Sequence, residues 1–418
     1  MSVSFDPFSS AWRDDPYPKY RELRDSAPVH WSPEAKVWCV SRYEDVMAVL
    51  RNHELFSSRA MMTQLMMSGE TEGPPLTARV LLFAAKLLLT ARINPFAFPK
   101  VPSLIASDGD RHAGLRTIVN RGFTPRQISA WEKRAREIVA DCMQRVGDGF
   151  DVVAGLAVPL PVTVIAEMLG IEPERRHDFK RWSDTVIHNA SGAGRADPFG
   201  PVVLGAIGEM TRYVVRIART RRRRPADDLI SLLVSGEAGE RLRPIDVVQF
   251  VTLLLVAGNE TTTNLIGNAT AALLDHPEQL ARVAADPLLI PGLIEETLRY
   301  DAPIQLIFRE ALADVQLAGA KIPKGATVVP LLGSANRDER RFPDADHFDV
   351  TRNPQGHVAF GFGKHFCLGA SLARLEARVA LEALVPVLVQ MRRADAQLPR
   401  IDSFLVRGPS RLALRKAA

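Results

Sequence analysis

Phe-Gly-Phe-Gly-Lys-His-Phe-Cys-Leu-Gly, at residues 360–369, is the stretch from which the fold of this chain can be predicted. A single cysteine, Cys367, follows two glycines, and from Leu368 onward leucine, alanine and valine recur at near-helical spacing. Cys367 is therefore predicted to lie where a glycine-bent loop enters a helix. Backbone N–H groups point outward unpaired at a helix start and the macrodipole favours an anion there, so we expect a thiolate.

A thiolate in this position is either a nucleophile or a metal ligand. A nucleophile needs a base, and His365 is the local candidate. One cysteine cannot hold zinc or an iron–sulfur cluster alone, but it can serve as the proximal ligand of haem. A third interpretation is a buried, inert cysteine, because free cysteine is often buried. Gly361 and Gly363 favour haem, since they let the backbone pass close to a flat group that phenylalanine rings can flank.

The composition is that of an ordinary globular protein, with 418 residues, 46% hydrophobic and 24% charged. We expect one domain over 1–418, because no linker or repeat divides the chain, with β-rich portions near 28–42 and 303–350. The formal net charge of +5 is compatible with an acidic protein partner. A basic cluster at 219–224 is predicted to be a solvated helix end, since it lacks the interleaved aromatics of a nucleic-acid groove.

Cysteine usage and hydropathy indicate the compartment. Cys39, Cys142 and Cys367 stand far apart, which argues against a disulfide framework and for a reducing environment. No signal-peptide pattern is visible, and the longest apolar runs are far shorter than the roughly 20 residues that span a bilayer. We therefore expect a soluble, cytoplasmic protein without a membrane span, and a monomer.

Residues 61–107 combine a methionine cluster, the apolar run Val80–Leu89 and several prolines. Flexible methionines suit the pliable wall of an apolar pocket, so one interpretation is a lid over a substrate. A core-packed helix between proline-rich loops fits the pattern equally well. A third interpretation is a patch that touches a membrane or a partner.

A central apolar helix is predicted over 247–276, and its middle, Ala-Gly-Asn-Glu-Thr-Thr-Thr at 257–263, is unusual for a helix core. Glycine and three consecutive β-branched residues disfavour a regular helix there. The Thr261 hydroxyl can bond back to the carbonyl of Ala257 and open the helix. Glu260 followed by Thr261 then suggests a proton relay. The alternative is a helix kink with a surface glutamate.

Two further pairs are marked by their spacing. His112 and Arg116 are four residues apart and share one helix face, where together they can bind a carboxylate or phosphate. Arg299 can pair with Glu295, four residues before it, or with Glu296, three before it.

The motif Phe-Gly-x-Gly-x-His-x-Cys-x-Gly resembles the haem-binding loop of the cytochromes P450. Residues 257–262 are similar to the oxygen-binding motif of that family, and Glu296 to Arg299 to its Glu-x-x-Arg motif. The chain is thus identified as a member of the family, of the soluble bacterial type. The resemblance implies a mainly α fold with a smaller β region. It is a triangular prism of helices that encloses haem between a long central helix and the cysteine-loop helix.

The resemblance also implies roles for individual residues. Cys367 is the axial ligand of the iron of haem b (iron protoporphyrin IX), and Glu260 and Thr261 are catalytic residues that deliver protons. Other residues implied to contact the haem, among them propionate partners, are His112, Arg116, Arg309, His365, Phe360, Gly361, Ala257, Gly258 and Gly369. A structural lock is implied for Glu296, Arg299 and Arg352. Residues implied to line the substrate pocket are Leu254, Ala257, Gly258, Pro303, Ile304, Gln305, Leu306, Ile307, Phe404 and Leu405.

The implied activity is mono-oxygenation, in which dioxygen hydroxylates an apolar small molecule such as a terpenoid, steroid or fatty acyl compound. No flavin or nicotinamide motif is visible, so electrons are expected from outside the chain, and the resemblance implies an acidic ferredoxin with its reductase as their source. Residues predicted to form its docking face are Lys364, Arg111, Arg121, Arg374 and Arg378. The alternatives are a peroxide-driven haem-thiolate enzyme, a non-catalytic haem-binding or redox-sensing protein and, more distantly, a hydrolase using Cys367 and His365.

Overall fold

The computed structural model describes residues 3–61, 78–91, 103–190, 200–236 and 241–417. The chain divides into two compact units, the first built from 1–60, 128–161 and 261–418 and the second from 61–127 and 162–260. Within the described ranges, no helix is long and apolar enough to cross a bilayer. A single domain over 1–418 stays a prediction.

The described residues are mainly helical, with a smaller β portion. The α-helices are α1 (Tyr17–Ser26), α2 (Tyr43–Arg51), α3 (Ala78–Ala91), α4 (Gly109–Asn120), α5 (Pro125–Ala130), α6 (Glu132–Met143), α7 (Pro159–Met168), α8 (Arg176–Ala190), α9 (Pro201–Arg223), α10 (Leu229–Val234), α11 (Pro244–Leu254), α12 (Glu260–Asp275), α13 (Pro277–Ala285), α14 (Ile290–Tyr300), α15 (Leu332–Ala335) and α16 (Ala370–Leu388). The strands are β1 (Val29–Ser32), β2 (Val37–Val40), β3 (Phe56–Ser57), β4 (Gly149–Asp151), β5 (Arg309–Ala311), β6 (Val315–Leu317), β7 (Ala320–Ile322), β8 (Thr327–Pro330), β9 (Met391–Arg393) and β10 (Ala413–Lys416). All of these strands belong to the first unit.

Five strands of the first unit form one sheet in the order β1-β2-β8-β5-β3. β1 and β2 pair antiparallel, with Val29 opposite Val40, whereas β2 and β8 run parallel, with Trp38 opposite Val328. β5 pairs antiparallel with both β8 and β3. The sheet therefore brings a strand from the N-terminal part of the chain beside two strands from the 303–350 region.

Helix α2 packs against this sheet because its apolar residues recur at helical spacing. Val46 and Val49 are buried in a core cluster that also contains Val328 of β8 and Ala311 of β5. The predictions of a strand at 37–40 and of a helix starting at Tyr43 are confirmed. This layer supports β5, the strand on which the predicted site residue Arg309 lies.

Helix α16, which follows the cysteine loop, packs against α6. Charged residues join the two helices at their exposed rims: Arg136 donates to Glu382 Oε2 at 2.7 Å, and Arg378 lies 2.8 Å from Glu132 Oε2. The inner face of α16 is apolar and buried. This packing fixes the position of the helix that Cys367 precedes.

The described residues of the second unit are helical, and α9 is the longest of these helices. It packs against α3, α8 and α11. Leu204, Gly208 and Val215 lie on its buried side at helical spacing. At its C-terminal end Arg221 donates from Nε to Asp228 Oδ2 at 2.5 Å. The basic cluster is thus a helix end, as predicted, and both Arg221 and Arg222 form hydrogen bonds within the chain.

The predicted central helix is present but is interrupted in the middle. α11 ends at Leu254, Leu255–Asn259 form a π-helical segment, and α12 begins at Glu260. A π segment widens the helix by one residue per turn and is frequent at functional sites. The expected opening of the helix therefore lies directly before Glu260. Its attribution to a hydrogen bond from Thr261 stays a prediction.

The apolar run within residues 61–107 forms a helix, because Val80–Leu89 lie inside α3. The parts at 62–77 and 92–102, with most of the methionines and the prolines, lie outside the described residues. The interpretation of those parts as a lid stays a prediction.

Candidate active site

The cysteine loop is closed by backbone hydrogen bonds around Cys367. The Cys367 N–H donates to the carbonyl of Phe360 at 2.9 Å, and Gly363–His365 form one turn of 3-10 helix. Gly369 is the N-cap of α16, whose first helical residue is Ala370. The helix therefore begins slightly later than the sequence pattern predicted, and Cys367 precedes its N-cap by two residues.

Gly361 and Gly363 are required by the backbone conformation of this loop. Both have φ of +70°, in the left-handed region that side-chain-bearing residues rarely adopt. A Cβ added at Gly361 would meet only the His365 carbonyl, at 3.6 Å, an ordinary contact. The two glycines thus bend the loop, and crowding within the protein does not explain them.

The loop fits the haem that the resemblance implies. The Cys367 side chain is partly exposed, and a Cβ added at Gly369 would meet no atom within 4 Å. Among the residues that the structure describes, no cluster of three His, Cys, Asp or Glu side chains could hold a bare metal ion. One cysteine on a loop beside open space suits a metal that brings its other ligands with it, as haem iron does.

A charged group supports one flank of the loop. The Arg374 guanidinium lies 4.6 Å from the centroid of the Phe360 ring and donates to both carboxylate oxygens of Glu295, at 2.6 and 2.9 Å. His357 Nε2 lies 3.0 Å from the same carboxylate. Burial alone would raise the pKa of Glu295, but the hydrogen bonds from Arg374 and His357 lower it to about 2. Glu295 is therefore anionic at physiological pH and holds Arg374 against the ring.

The predicted lock residues meet, and the choice between the two glutamates is resolved in favour of Glu296. Arg299 donates through Nε and Nη2 to the two Glu296 oxygens, both at 2.8 Å, and Arg352 Nε donates to Oε1 at 3.2 Å. The side chains of Glu296 and Arg299 are completely buried. Arg299 also donates to the carbonyls of Asn336 and Ala345. The group therefore fastens α14 to the segment that leads toward the cysteine loop.

The interrupted helix presents an accessible apolar face. Leu254, Val256 and Gly258 are partly exposed and Ala257 is exposed, whereas Asn259 and Glu260, which follow them, are buried. A Cβ added at Gly258 would lie 2.7 Å from Ile165 Cδ1. Glycine at 258 therefore lets α7 approach the helix closely.

Glu260 lies at the first position of α12 and is buried. Burial raises the pKa of Glu260 to about 7, because desolvation disfavours the carboxylate. Thr261, the next residue, is partly exposed. The surface glutamate that the alternative interpretation required is thus excluded, and the carboxyl is poised between its two protonation states near neutral pH.

A second buried carboxyl, Glu376 of α16, was missed from the sequence. Burial raises the pKa of Glu376 to about 8, against the opposing effect of a hydrogen bond with the Thr262 side chain. Its other oxygen, Oε1, is buried without a hydrogen-bond partner. The signal was available, because Glu376 falls on the apolar stripe that contains Leu372, Leu375 and Val379.

The predicted propionate partners lie on both units. His112 is buried on α4, and Arg116 follows one turn later, partly exposed, so they share a face as predicted. In the first unit, Arg309 is buried on β5 and donates to the Phe308 carbonyl at 2.9 Å, and His365 is partly exposed in the 3-10 turn. Their convergence on haem stays a prediction.

In the predicted pocket segment 303–307, some side chains are partly exposed and others are buried. Ile304 and Ile307 are partly exposed, whereas Leu306 and Pro303 are buried. Gln305 donates from its amide to the Ala302 carbonyl and lines a small depression that is open to solvent. Residues that line this depression with it include Trp12, Arg13, Phe404 and Arg407. The structure thus places Gln305 and Phe404 beside the N-terminal segment, which the sequence did not predict. Leu405, the other predicted pocket residue of this turn, is partly exposed.

Comparison with known proteins places the chain in one family. The family model of Cytochrome P450 matches residues 288–388. The putative cytochrome P450 123 of Mycobacterium tuberculosis is 37% identical, over 98% of this chain and 96% of that protein. The structure of cytochrome P450 CYP109Q5 from Chondromyces apiculatus has a TM-score of 0.85 and 39% identity, covering 100% of this chain and 99% of that chain. CYP109E1 from Bacillus megaterium, solved in complex with testosterone, has a TM-score of 0.81 and 36% identity, covering 97% and 100%.

Because these similarities extend over almost the whole chain, it belongs to the cytochrome P450 family. Its fold is the cytochrome P450 fold, mainly α with small β-sheets. The protein is a haem-thiolate mono-oxygenase, an oxidoreductase whose cofactor is haem b. The sequence predictions of family, fold class, enzyme class and cofactor are therefore confirmed, and Cys367 remains the residue predicted to hold the iron.

Proposed function

We propose that the enzyme hydroxylates an apolar small molecule, a terpenoid, steroid or fatty acyl compound, with electrons from a ferredoxin-type donor. The observation that carries this proposal is the accessible apolar face at 254–258, immediately before the buried Glu260. It combines a surface for a substrate with a carboxyl that can supply a proton.

The chemistry of that face favours an apolar substrate. Leu254, Val256, Ala257 and Gly258 carry no charge or side-chain hydrogen-bond donor. A polar or charged substrate would lose hydrogen bonds to water there without replacing them. The solved complex of CYP109E1 with testosterone supports the steroid option, because that relative binds an apolar molecule of this class.

Protons for oxygen activation are assigned to Glu260 and Thr261. With its pKa near 7, Glu260 can hold a proton and release it at neutral pH, and the adjacent Thr261 hydroxyl can pass a proton on. When bound, the haem supplies dioxygen binding and the oxidation chemistry, and electron donation from the thiolate favours O–O cleavage. Buried Glu376, which is bonded to Thr262, is another carboxyl that holds a proton at neutral pH, and it lies in the first unit.

The electron donor is proposed to dock on the exposed part of the cysteine loop. Phe362 and Phe366 are exposed there, the Arg51 guanidinium lies 5.1 Å from the centre of the Phe362 ring, and Lys364 is exposed. An apolar centre with cations beside it suits an acidic ferredoxin.

Two residues of the face predicted from the sequence are already paired with carboxylates. Arg374 bonds Glu295, and Arg378 bonds Glu132 and Glu382. Lys364 is retained in the proposed face and Arg51 is added to it. Arg111 and Arg121 are exposed on the second unit and remain predicted members. The free, buried thiols of Cys39 and Cys142 fit a cytoplasmic location.

Substrate titration of the holoenzyme tests the proposal. Steroids, terpenoids and fatty acids are added to the ferric protein, and the low-to-high-spin shift of the Soret band is recorded. We expect at least one apolar class to shift the band and to be hydroxylated with a surrogate ferredoxin and reductase. Spin shifts confined to charged or highly polar compounds would contradict the proposed substrate class.

A further inference from the structure

Helix α3 of the second unit has apolar side chains on two opposite sides. Its inner side holds Leu87, which is completely buried, together with buried Val80 and Ala84. The outer residues are exposed leucines: Leu81, Leu82, Leu88 and Leu89. Of the ten large hydrophobic side chains that are exposed among the described residues, these four lie on this one 14-residue helix. Monomeric proteins rarely expose such a contiguous apolar surface unless it binds something.

Packing of the inner side of α3 fixes the orientation of the helix, so that its outer leucines face away from the second unit. α3 packs on α9, where the Phe83 ring fills the space beside Gly208: a Cβ added there would lie 3.2 Å from Phe83 Cε2. With Leu87 buried as well, the helix cannot turn its outer side inward without exposing an equivalent apolar area. The outer leucines fall at helical spacing, with exposed Ala85 between them, and so form one stripe.

The charge of this region is one-sided. The sequence of α3 contains two basic residues, Arg79 and Lys86, and no aspartate or glutamate. Lys86 is exposed, four residues after Leu82 and three before Leu89, and therefore lies on the apolar stripe. A lysine in this position can lay its alkyl chain along an apolar surface while its ammonium group reaches outward.

We propose that α3 docks on an anionic lipid surface, with its four outer leucines in the acyl boundary and the Lys86 ammonium group among the headgroups. A basic helix with an exposed apolar stripe is the pattern of helices that lie in the membrane interface. A helix of 14 residues is about 21 Å long, which is too short to span the roughly 30 Å hydrocarbon core, so it lies in the plane of the surface.

Two other occupants fit the surface less well. A second copy of the chain would bring two basic segments together, and like charges repel. A protein partner normally meets an anchor of tryptophan, tyrosine or arginine, whereas leucine is under-represented at such hot spots. The exposed stripe consists of leucine, alanine and lysine. The inference goes beyond the oxidation chemistry and does not depend on which substrate is hydroxylated.

Vesicle co-sedimentation of the holoenzyme tests the docking. Vesicles of equal parts phosphatidylglycerol and phosphatidylethanolamine are compared with vesicles of phosphatidylcholine, at low and high salt. We expect binding to the anionic vesicles that is weakened by salt, and at least about tenfold weaker binding to phosphatidylcholine. The double variant Leu82→Ser/Leu89→Ser should lose at least about tenfold in binding, and Lys86→Glu about as much.

Leu288→Ser is the matched control. Leu288 is 86% exposed, comparable with Leu89 at 81%, but it lies in a short turn of the first unit, so its replacement should leave vesicle binding unchanged. The carbon-monoxide difference spectrum and the thermal midpoint of each variant show whether it is folded. Three results would overturn the inference: no binding of the parent enzyme to anionic vesicles, binding unaffected by the Leu82 and Leu89 changes, or a dimer in sedimentation equilibrium that the double variant abolishes.

Discussion

At the residue scale, Glu260 combines a position that the sequence indicated with a property that only burial creates. An acid followed by a hydroxyl predicted a proton relay, but an exposed glutamate would be ionised at neutral pH. Burial raises the pKa of Glu260 from 4.5 to about 7, so protonated and ionised forms are both populated there. This protonation behaviour suits the role proposed for Glu260, which requires the carboxyl to give up a proton and regain one within each catalytic cycle.

This pKa predicts how stability depends on pH. Because the folded-state pKa lies above the unfolded value of 4.5, folding favours the protonated form. The stabilisation is complete below about pH 4.5 and is lost as the pH rises through about 7. In the parent, ionisation of Glu260 should therefore lower the unfolding free energy by about 3 kcal/mol over that window. Glu260→Gln should not show this decrease, because an amide does not ionise. Urea unfolding of the two proteins at pH 5 to 8 measures it.

Glu278→Gln, which removes an exposed carboxylate on α13, should keep the parent's pH dependence of unfolding free energy.

Glu260→Gln should also flatten the pH dependence of turnover above pH 7, while the parent loses activity there as its carboxyl ionises. Because burial also raises the pKa of Glu376, the unfolding free energy of the parent and of Glu260→Gln should both retain a decrease with rising pH that comes from Glu376. Equal slopes for the parent and Glu260→Gln would contradict the buried, protonatable carboxyl.

At the scale of elements, Gly258 of the π-helical segment lies where Ile165 of α7 comes close to the interrupted helix. A Cβ at Gly258 would collide with Ile165 Cδ1, at 2.7 Å, and with no other atom within 3 Å. Alanine gains about 1 kcal/mol over glycine in a helix, whereas overpacking costs about 1–3 kcal/mol. Gly258→Ala should therefore destabilise the parent by about 1 kcal/mol but stabilise the Ile165→Val protein, which lacks Cδ1.

The coupling between the two sites is measured by unfolding the parent, both single variants and the double variant. The Soret spectrum of each shows whether the helix still accommodates haem. Additive effects of Gly258→Ala and Ile165→Val would mean that the glycine does not serve the close approach of α7.

The lock is the second element-scale feature, since it fastens α14 to the segment before the cysteine loop. Glu296→Ala leaves the Arg299 guanidinium buried without its carboxylate, and breaking a buried ion pair on one side costs about 3–5 kcal/mol. We expect the variant to unfold at lower urea concentration and to retain less haem on purification. Haem content per protein and the urea midpoint are the measurements.

Glu137→Ala is a suitable comparison, because Glu137 also pairs with an arginine three residues away, Arg134 at 2.9 Å, but in an exposed pair. Exposed pairs contribute about 0–1 kcal/mol, so this variant should keep its haem. If Glu296→Ala and Glu137→Ala lowered the haem content and the urea midpoint equally, burial of the Glu296–Arg299 pair would not contribute to stability.

At the scale of the whole molecule, the net charge of +5 makes electron transfer sensitive to charge on the docking face. The double variant Arg51→Glu/Lys364→Glu reverses both cations of the proposed face. Its apparent KM for an acidic ferredoxin should rise on the order of tenfold, with a smaller dependence on salt. Steady-state kinetics with a surrogate ferredoxin and reductase provide the measurement.

Lys321→Glu, on the exposed hairpin of β6 and β7, changes charge at a different place and should leave that KM unaltered. A normal CO-difference spectrum in each variant separates docking from folding. If reversing Arg51 and Lys364 left the kinetics unchanged, the donor would bind elsewhere.

Much of the fold followed from local pattern. The strand at 37–40, the helix from Tyr43 and the loop-to-helix entry after Cys367 were predicted because periodicity and glycine positions act within a few residues. The neighbourhoods of Gln305 and Arg374 were not, because their partners are distant in sequence. Gln305 lines a depression with Trp12, and Arg374 bonds Glu295, 79 residues away.

The sequence by itself determined the family, the haem-thiolate chemistry and the order of the motifs, because ligand type, helix opening and loop bending are properties of short stretches. Only the tertiary structure decided which charges are buried and what they meet. It raised the pKa values of Glu260 and Glu376, bonded Arg374 to Glu295, and left four leucines of α3 exposed. Desolvation and pairing depend on atoms brought together from distant parts of the chain, and no local pattern contains them.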